Sequence, residues 1–166
     1  RQNLPNIFQV VLRNLEDNLP IDFGCVYLRD AGQDTISLAS VGPRSQQLAT
    51  RAAIEPHERL AVDANGLARC VLEGTLVYEP DITALSFSLP SRLTRAGLRT
   101  AVFAPLIVES QVFGMLVVVP PQAYIQISEA LGYPDGFVDF YLRRYFAFAP
   151  QFCPKPCIIL PTWNHL

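Results

Sequence analysis

Four thiols, two imidazoles and three closely spaced arginines are the side chains of this 166-residue chain whose types invite chemistry. Cys25, Cys70, Cys153 and Cys157 are scattered and give no disulfide framework, which fits a reduced, cytoplasmic setting. Cys25 stands beside Val26, and Cys70 lies in Ala68-Arg69-Cys70-Val71. Apolar surroundings disfavour a thiolate, so both read as small core residues rather than nucleophiles. Cys153-Pro-Lys-Pro-Cys157 has the outline of a metal clip, but with only the distant His165 to add it does not complete a tetrahedral site. No metal is expected. Arg92, Arg95 and Arg99 offer forked donors to an anion. A solvated helix face explains Arg92 and Arg95, three apart, more simply. No Ser-His-Asp set, paired-carboxylate motif or phosphate loop stands out, so no catalytic residue is expected.

Composition narrows the classes further. Half of the residues are hydrophobic and the formal net charge is −2, with no basic patch for nucleic acid and no acidic tail. The longest apolar runs fall far short of a membrane span, and no signal peptide is visible. Because the first residue is Arg1, the chain reads as a fragment of something longer. Seven of the seventeen aromatics lie in residues 1–119 and the other ten in the last 47, a change of character near Pro120-Pro121. Two regions are therefore expected: a domain over 1–121, and an aromatic- and proline-rich segment over 122–166. In the latter Phe137, Phe140, Tyr141 and Tyr145 suit one helix face.

The elements that must position these groups follow from periodicity. Leu4, Ile7, Phe8, Val11, Leu12, Leu15 and Leu19 have amphipathic-helix spacing, stopped by Pro20. Residues 22–30 alternate as a strand, with Phe23, Cys25 and Tyr27 on one face and Val26 and Leu28 on the other. A turn at Ala31-Gly32-Gln33 leads to a second strand over 35–41. A short helix over 45–53 is expected with Ser45 at its cap, then an irregular segment over 54–62 with an extended piece at 59–62. Asp63 reads as the cap of a helix over 64–73 that Gly74 ends. A short strand over 76–78 and a loop over 79–89 follow. Pro90 then starts a small helix through Ala96, with Ser88 a possible cap and Gly97 closing it. Residues 99–119 read as two strands joined at Glu109-Ser110-Gln111. Pro105 lacks a backbone donor and belongs at an edge or bulge; Gly114 suits a bulge or a close approach. This order argues an α+β domain with a central, mostly antiparallel sheet.

With these local sequences, the order resembles a GAF domain, the small ligand-binding or relay module of bacterial sensors. The resemblance rests on DFGCVYLRD (22–30), NGLARCVLEGTLVYEPDI (65–82) and AGLRTAVFAPLIVESQVFGMLVVV (96–119). It spans about residues 4–119 and fails after Pro121. In flavour it is closest to the GAF domains of phytochrome-like bacterial sensor histidine kinases. It implies a six-stranded sheet with helices on both faces, and terminal helices that pair between subunits as a homodimer. The stripe of the first helix suits that pairing or simple packing on its own sheet. If a small ligand binds, the resemblance places it between the sheet and the crossover segments, lined by Cys25, Tyr27, Tyr78, Phe87, Leu93 and Phe103, with Arg95 at the edge. Each of these equally suits a core.

Branches of the family with added chemistry fit poorly. Bilin attachment uses a cysteine followed directly by histidine, whereas Val71 follows Cys70. The cyclic-nucleotide signature includes a lysine, and the only lysine here is Lys155. Neither Cys25 nor Cys70 lies in a segment resembling the methionine-sulfoxide-reductase branch. The expectation is a non-enzymatic sensory or relay domain of a histidine kinase. The alternatives are a ligand-free dimerisation module and, third, a reductase.

Overall fold

The structure, a computed structural model, describes residues 4–121; the expected helix at 137–145 and the Cys153–Cys157 pair lie outside the described residues. The chain opens with helix α1 (Leu4–Asn18), followed by strands β1 (Phe23–Arg29) and β2 (Thr35–Val41). A crossover carries α2 (Gln46–Arg51), β3 (Arg59–Ala61), a 3-10 turn (Asp63–Asn65), α3 (Ala68–Val71), β4 (Val77–Glu79), a second 3-10 turn (Ile82–Ala84) and α4 (Ser88–Arg95). The hairpin β5 (Ala101–Val108) and β6 (Gln111–Val119) closes the fold. All pairings in the six-stranded sheet are antiparallel, in the order β3-β2-β1-β6-β5-β4. This is the expected α+β architecture.

Strand alternation divides the core in two. Phe23, Cys25 and Tyr27 join Met115, Val117, Phe103, Cys70 and Leu93 on the crossover face. Val26, Leu116, Val118, Ala104 and Leu106 pack instead with Phe8, Leu12, Leu15 and Leu19 of α1. The central strand β6 is thus covered on both faces, which is why its sequence is almost continuously apolar. Pro105 lies beyond the β4–β5 ladder, which ends at Phe103, so its missing donor leaves no gap in that ladder. Gly114 sits beside a bulge: Leu106 pairs with it and Ile107 with Val112, leaving Phe113 as the extra residue. A Cβ on Gly114 would lie 2.6 Å from the Tyr27 carbonyl oxygen and 3.1 Å from Leu28 Cδ2.

The crossover departs from periodicity at its polar residues. The expected helix over 64–73 is split, because Gly66 takes a left-handed conformation (φ 67°) between the 3-10 turn and α3. Asp63 consequently starts the turn and caps no helix. Helix α4 begins at Ser88, with Phe87 in the cap position, and Pro90 falls inside its first turn, where no backbone donor is required. Ser45 precedes α2 but makes no side-chain cap. Its hydroxyl has a tertiary role: it accepts the Gly24 N–H at 2.9 Å and donates to Glu16 Oε1 at 2.8 Å. The buried Glu16 carboxylate also accepts the Arg44 N–H at 2.9 Å, so α1, β1 and the β2–α2 connection meet in one polar knot. A Cβ on Gly42 would collide with that carboxylate.

The close approach at the centre of the sheet carries a prediction. Gly114→Ala should destabilise the domain by about 1–3 kcal/mol, because strand backbone cannot give way as a side chain can. Urea unfolding of the variant measures this; an unchanged midpoint would show that β1 and β6 adjust freely.

Candidate functional site

The face of the sheet opposite α1, under α3 and α4, holds the groups capable of recognition. Tyr27 on β1 is fully buried and reaches across to Glu58, donating its hydroxyl proton to Oε1 at 2.7 Å. Glu58 is placed just before β3, where its carbonyl accepts the Leu38 N–H at 2.9 Å. Arg92 of α4 completes the set. Its guanidinium forks onto the same carboxylate, Nη1 to Oε2 at 2.9 Å and Nη2 to Oε1 at 3.0 Å, while Nη1 also donates to the Ala53 carbonyl at 2.8 Å. The Glu55 N–H adds a bond to Glu58 Oε2 at 3.1 Å. The Arg92 and Glu58 side chains are 12% and 10% exposed. Arg92 Nε is buried and has no partner among the described residues.

Arg92 turns inward because Leu89, Arg92, Leu93 and Ala96 follow i, i+3, i+4, i+7 spacing, and the other three are buried. That signal was present in the sequence and contradicts the solvated-face reading of Arg92. Arg95 does lie on the exposed face. Glu58 had no such signal: it is a single acid in an irregular segment, and only the tertiary fold brings it to Arg92.

Charge states follow from these contacts. Burial by itself would raise the Glu58 carboxyl, but hydrogen bonds from Arg92, Tyr27 and the Glu55 backbone outweigh it and hold it below the usual range. The Tyr27 phenol is pushed up, chiefly by burial, with the Glu58 carboxylate adding to the effect. Arg92 is held charged by its hydrogen bonds to Glu58. Burial pushes the Cys70 thiol up to about 12, and Cys25 is pushed up by burial and by the nearby Glu58 charge. Neither is a ready thiolate.

The residues singled out in the sequence are only partly brought together. Cys25, Tyr27, Leu93 and Phe103 share the core beneath the crossover. Phe87 and Phe103 line a cavity of about 40 Å³ there, with Cys70, Gly66 and Pro90. The Phe87 ring packs so closely on Gly66 that a Cβ would fall 2.6 Å from it. Tyr78 is on the other face, packed in the α1 layer, because strand alternation turns its neighbour Val77 toward Phe103. Tyr78 thus lies apart from the other residues of the expected lining, and Arg95 is exposed on α4. A cavity of about 40 Å³ has room for a water molecule but falls well below the roughly 300–1,000 Å³ of ligand pockets. Among the described residues no cluster of His, Cys, Asp or Glu is able to hold a metal, and no helix is long and apolar enough to cross a membrane.

The family profile described as GAF domain matches residues 1–132. No curated protein sequence matches the chain. Among solved structures, the chain is similar to the GAF domain of a two-component sensor histidine kinase from Bacillus halodurans, with TM-score 0.60 and 14% identity over 83% of this chain and 97% of that one. It is also similar to a GAF domain/HD domain protein from Geobacter sulfurreducens, with TM-score 0.56 and 16% identity over 87% and 94%. A type II free methionine-R-sulfoxide reductase from Thermoplasma acidophilum matches with TM-score 0.51 and 15% identity over 87% and 92%. At these identities the likeness is one of fold.

Breaking the ion pair from one side tests its role. Arg92→Met should cost about 1–3 kcal/mol by leaving the half-buried Glu58 carboxylate without its counter-charge, and the double variant with Glu58→Gln should recover most of that. Because the folded-state Glu58 carboxyl lies below its unfolded value, its stabilisation is present above the ordinary glutamate range and fades as pH falls through the folded value. Acid unfolding followed by circular dichroism should be shallower in Glu58→Gln; identical pH profiles would remove Glu58 from the stability of this site.

Proposed function

The chain belongs to the GAF domain family, and from that premise we propose that it is a non-enzymatic sensory or relay module of a bacterial signalling protein, of the sensor histidine kinase kind. The observation that carries the relay reading is the filled interior. Between the sheet and the crossover segments the Tyr27–Glu58–Arg92 set is packed together, and the cavity lined by Phe87 and Phe103 there measures about 40 Å³. A signal then travels as a shift between packings of the domain and its terminal helix, with no resident ligand required. Helix α1 suits the output role. It buries Phe8, Leu12 and Leu15 on the sheet but leaves Ile7 and Val10 41% and 42% exposed, an apolar strip for a second subunit in a cytoplasmic homodimer. The reductase alternative is disfavoured by the burial of Cys25 and Cys70 and by their raised thiols.

Native mass spectrometry at low micromolar concentration tests the reading. The expected species is a dimer without added mass, converted to monomer by Ile7→Glu with Val10→Glu. A reproducible extra mass that persists in Thr50→Trp, a substitution remote from the cavity beneath α3 and α4, would overturn the ligand-free interior, and a monomeric parent would overturn pairing through α1. In a Cys153→Ser, Cys157→Ser background, the two remaining thiols should react with a thiol reagent only on unfolding. Rapid reaction in the native state would reopen the redox alternative.

A further inference from the structure

A second cavity, of about 260 Å³, shares no residue with the one beneath α3 and α4. Its floor is the end of β2. Strand β3 pairs with β2 only over Thr35–Ser37, and Leu38 gives its N–H to Glu58, so β2 continues to Val41 with no strand on its outer edge among the described residues. The walls come from α1 through Gln9, from α2 through Gln46, Ala49 and Thr50, and from the turn that carries His57.

Two side-chain amides act at this edge as a neighbouring strand would. Gln9 Nε2 donates to the Val41 carbonyl at 2.8 Å and to Ser40 Oγ at 2.6 Å, and Gln46 Nε2 donates to the same carbonyl at 3.2 Å. These contacts fix the amide orientations and leave both Oε1 atoms as acceptors, while the Ser40 hydroxyl proton remains to be donated. His57 adds its ring from a turn that Glu58 N–H closes onto Glu55 O at 3.1 Å, in a left-handed conformation (φ 59°) uncommon for residues other than glycine. Among the described residues, no titratable side chain other than His57 lines the cavity. The cavity is partly open to solvent, and an ionic ligand would find no full counter-charge among these side chains, whereas an amide finds both donors and acceptors. The volume is just below the roughly 300 Å³ lower end of ligand pockets, which suits a single-ring molecule.

We propose that this cavity is a binding site for a small uncharged molecule bearing a carboxamide or cyclic amide, held on the free edge of β2. Its contact with Gln9 places the ligand directly against α1, the helix assigned the output role. The site differs from the family-expected interior.

Nicotinamide and its acid, nicotinate, form a matched pair of probes with the same ring and shape. Each is titrated into the ¹⁵N-labelled full chain at neutral pH while the Gln9 and Gln46 side-chain NH₂ resonances are followed. Nicotinamide should shift both saturably, and nicotinate should not. Thr50→Trp fills the mouth from an exposed helix position and should abolish the shifts while the rest of the spectrum stays dispersed. If that variant does not fold, Gln46→Leu, which removes one acceptor at an exposed position, should still weaken the response. Absence of saturable shifts up to the solubility limit would overturn the proposal. Equal shifts with nicotinate would overturn the amide class, and shifts unchanged in the folded variants would overturn the location. None of these outcomes bears on the dimer-and-relay reading, which is read from mass.

Discussion

The domain depends on one strand being paired on both sides. β6 takes β1 along Phe23–Leu28 on one edge and β5 along Val102–Val108 on the other, and it is the last strand of the sheet in sequence. The amino-terminal hairpin and the carboxy-terminal hairpin are therefore joined only when the chain has passed through the whole crossover. Contacts of such long sequence separation are entropically expensive to close, and they are repaid by apolar burial on both faces of Met115–Val119. Gly114 marks the tightest point of this junction, where the β1 backbone leaves no room for a side chain.

Once the sheet is closed, each face is secured by a carboxylate from outside the sheet. On the α1 face, Glu16 gathers the Ser45 hydroxyl and the Arg44 amide, and Ser45 in turn holds the Gly24 amide at the start of β1. On the crossover face, Glu58 gathers Tyr27 and Arg92. Both carboxylates satisfy backbone or side-chain donors that burial would otherwise leave without partners. The second knot has a further consequence: Arg92 ties Ala53 and Glu58 together across a loop that holds two non-glycine residues, Ala53 and His57, at positive φ. One arginine thus restrains the segment that separates α2 from β3.

The same arrangement accounts for the division of space. The interior beneath α3 and α4 is packed with aromatic and charged side chains, and the larger of the two described cavities lies where β3 stops short of the end of β2. Short β3 and long β2 are a mismatch in strand length, and two glutamines cover it. Helix α1 touches that place through Gln9 and the sheet through Phe8 and Leu12, so the β2 edge and the α1 layer are in direct contact.

Periodicity by itself determined α1, the two hairpins and the sides they present. The stripe from Phe8 to Leu19 required a helix with one buried face, the alternation of Phe23–Leu28 assigned each side chain to its layer, and the apolar run after Phe113 required a strand covered twice. Those patterns record burial, which is a property of single residues repeated along a chain. The resemblance of three segments to one family was legible for the same reason. What only the tertiary structure decided was polar pairing. Ser45, read as a helix cap, bonds instead to groups on β1 and α1. The spacing of α4 turns Arg92 inward and Arg95 outward, but that Arg92 meets Glu58 is decided only by the fold. Tyr78 and Val77 exchange faces with a shift of one position in the strand. A hydrogen bond or ion pair is defined by two residues far apart in sequence, 34 positions in the case of Glu58 and Arg92, and no local pattern of either one encodes the other.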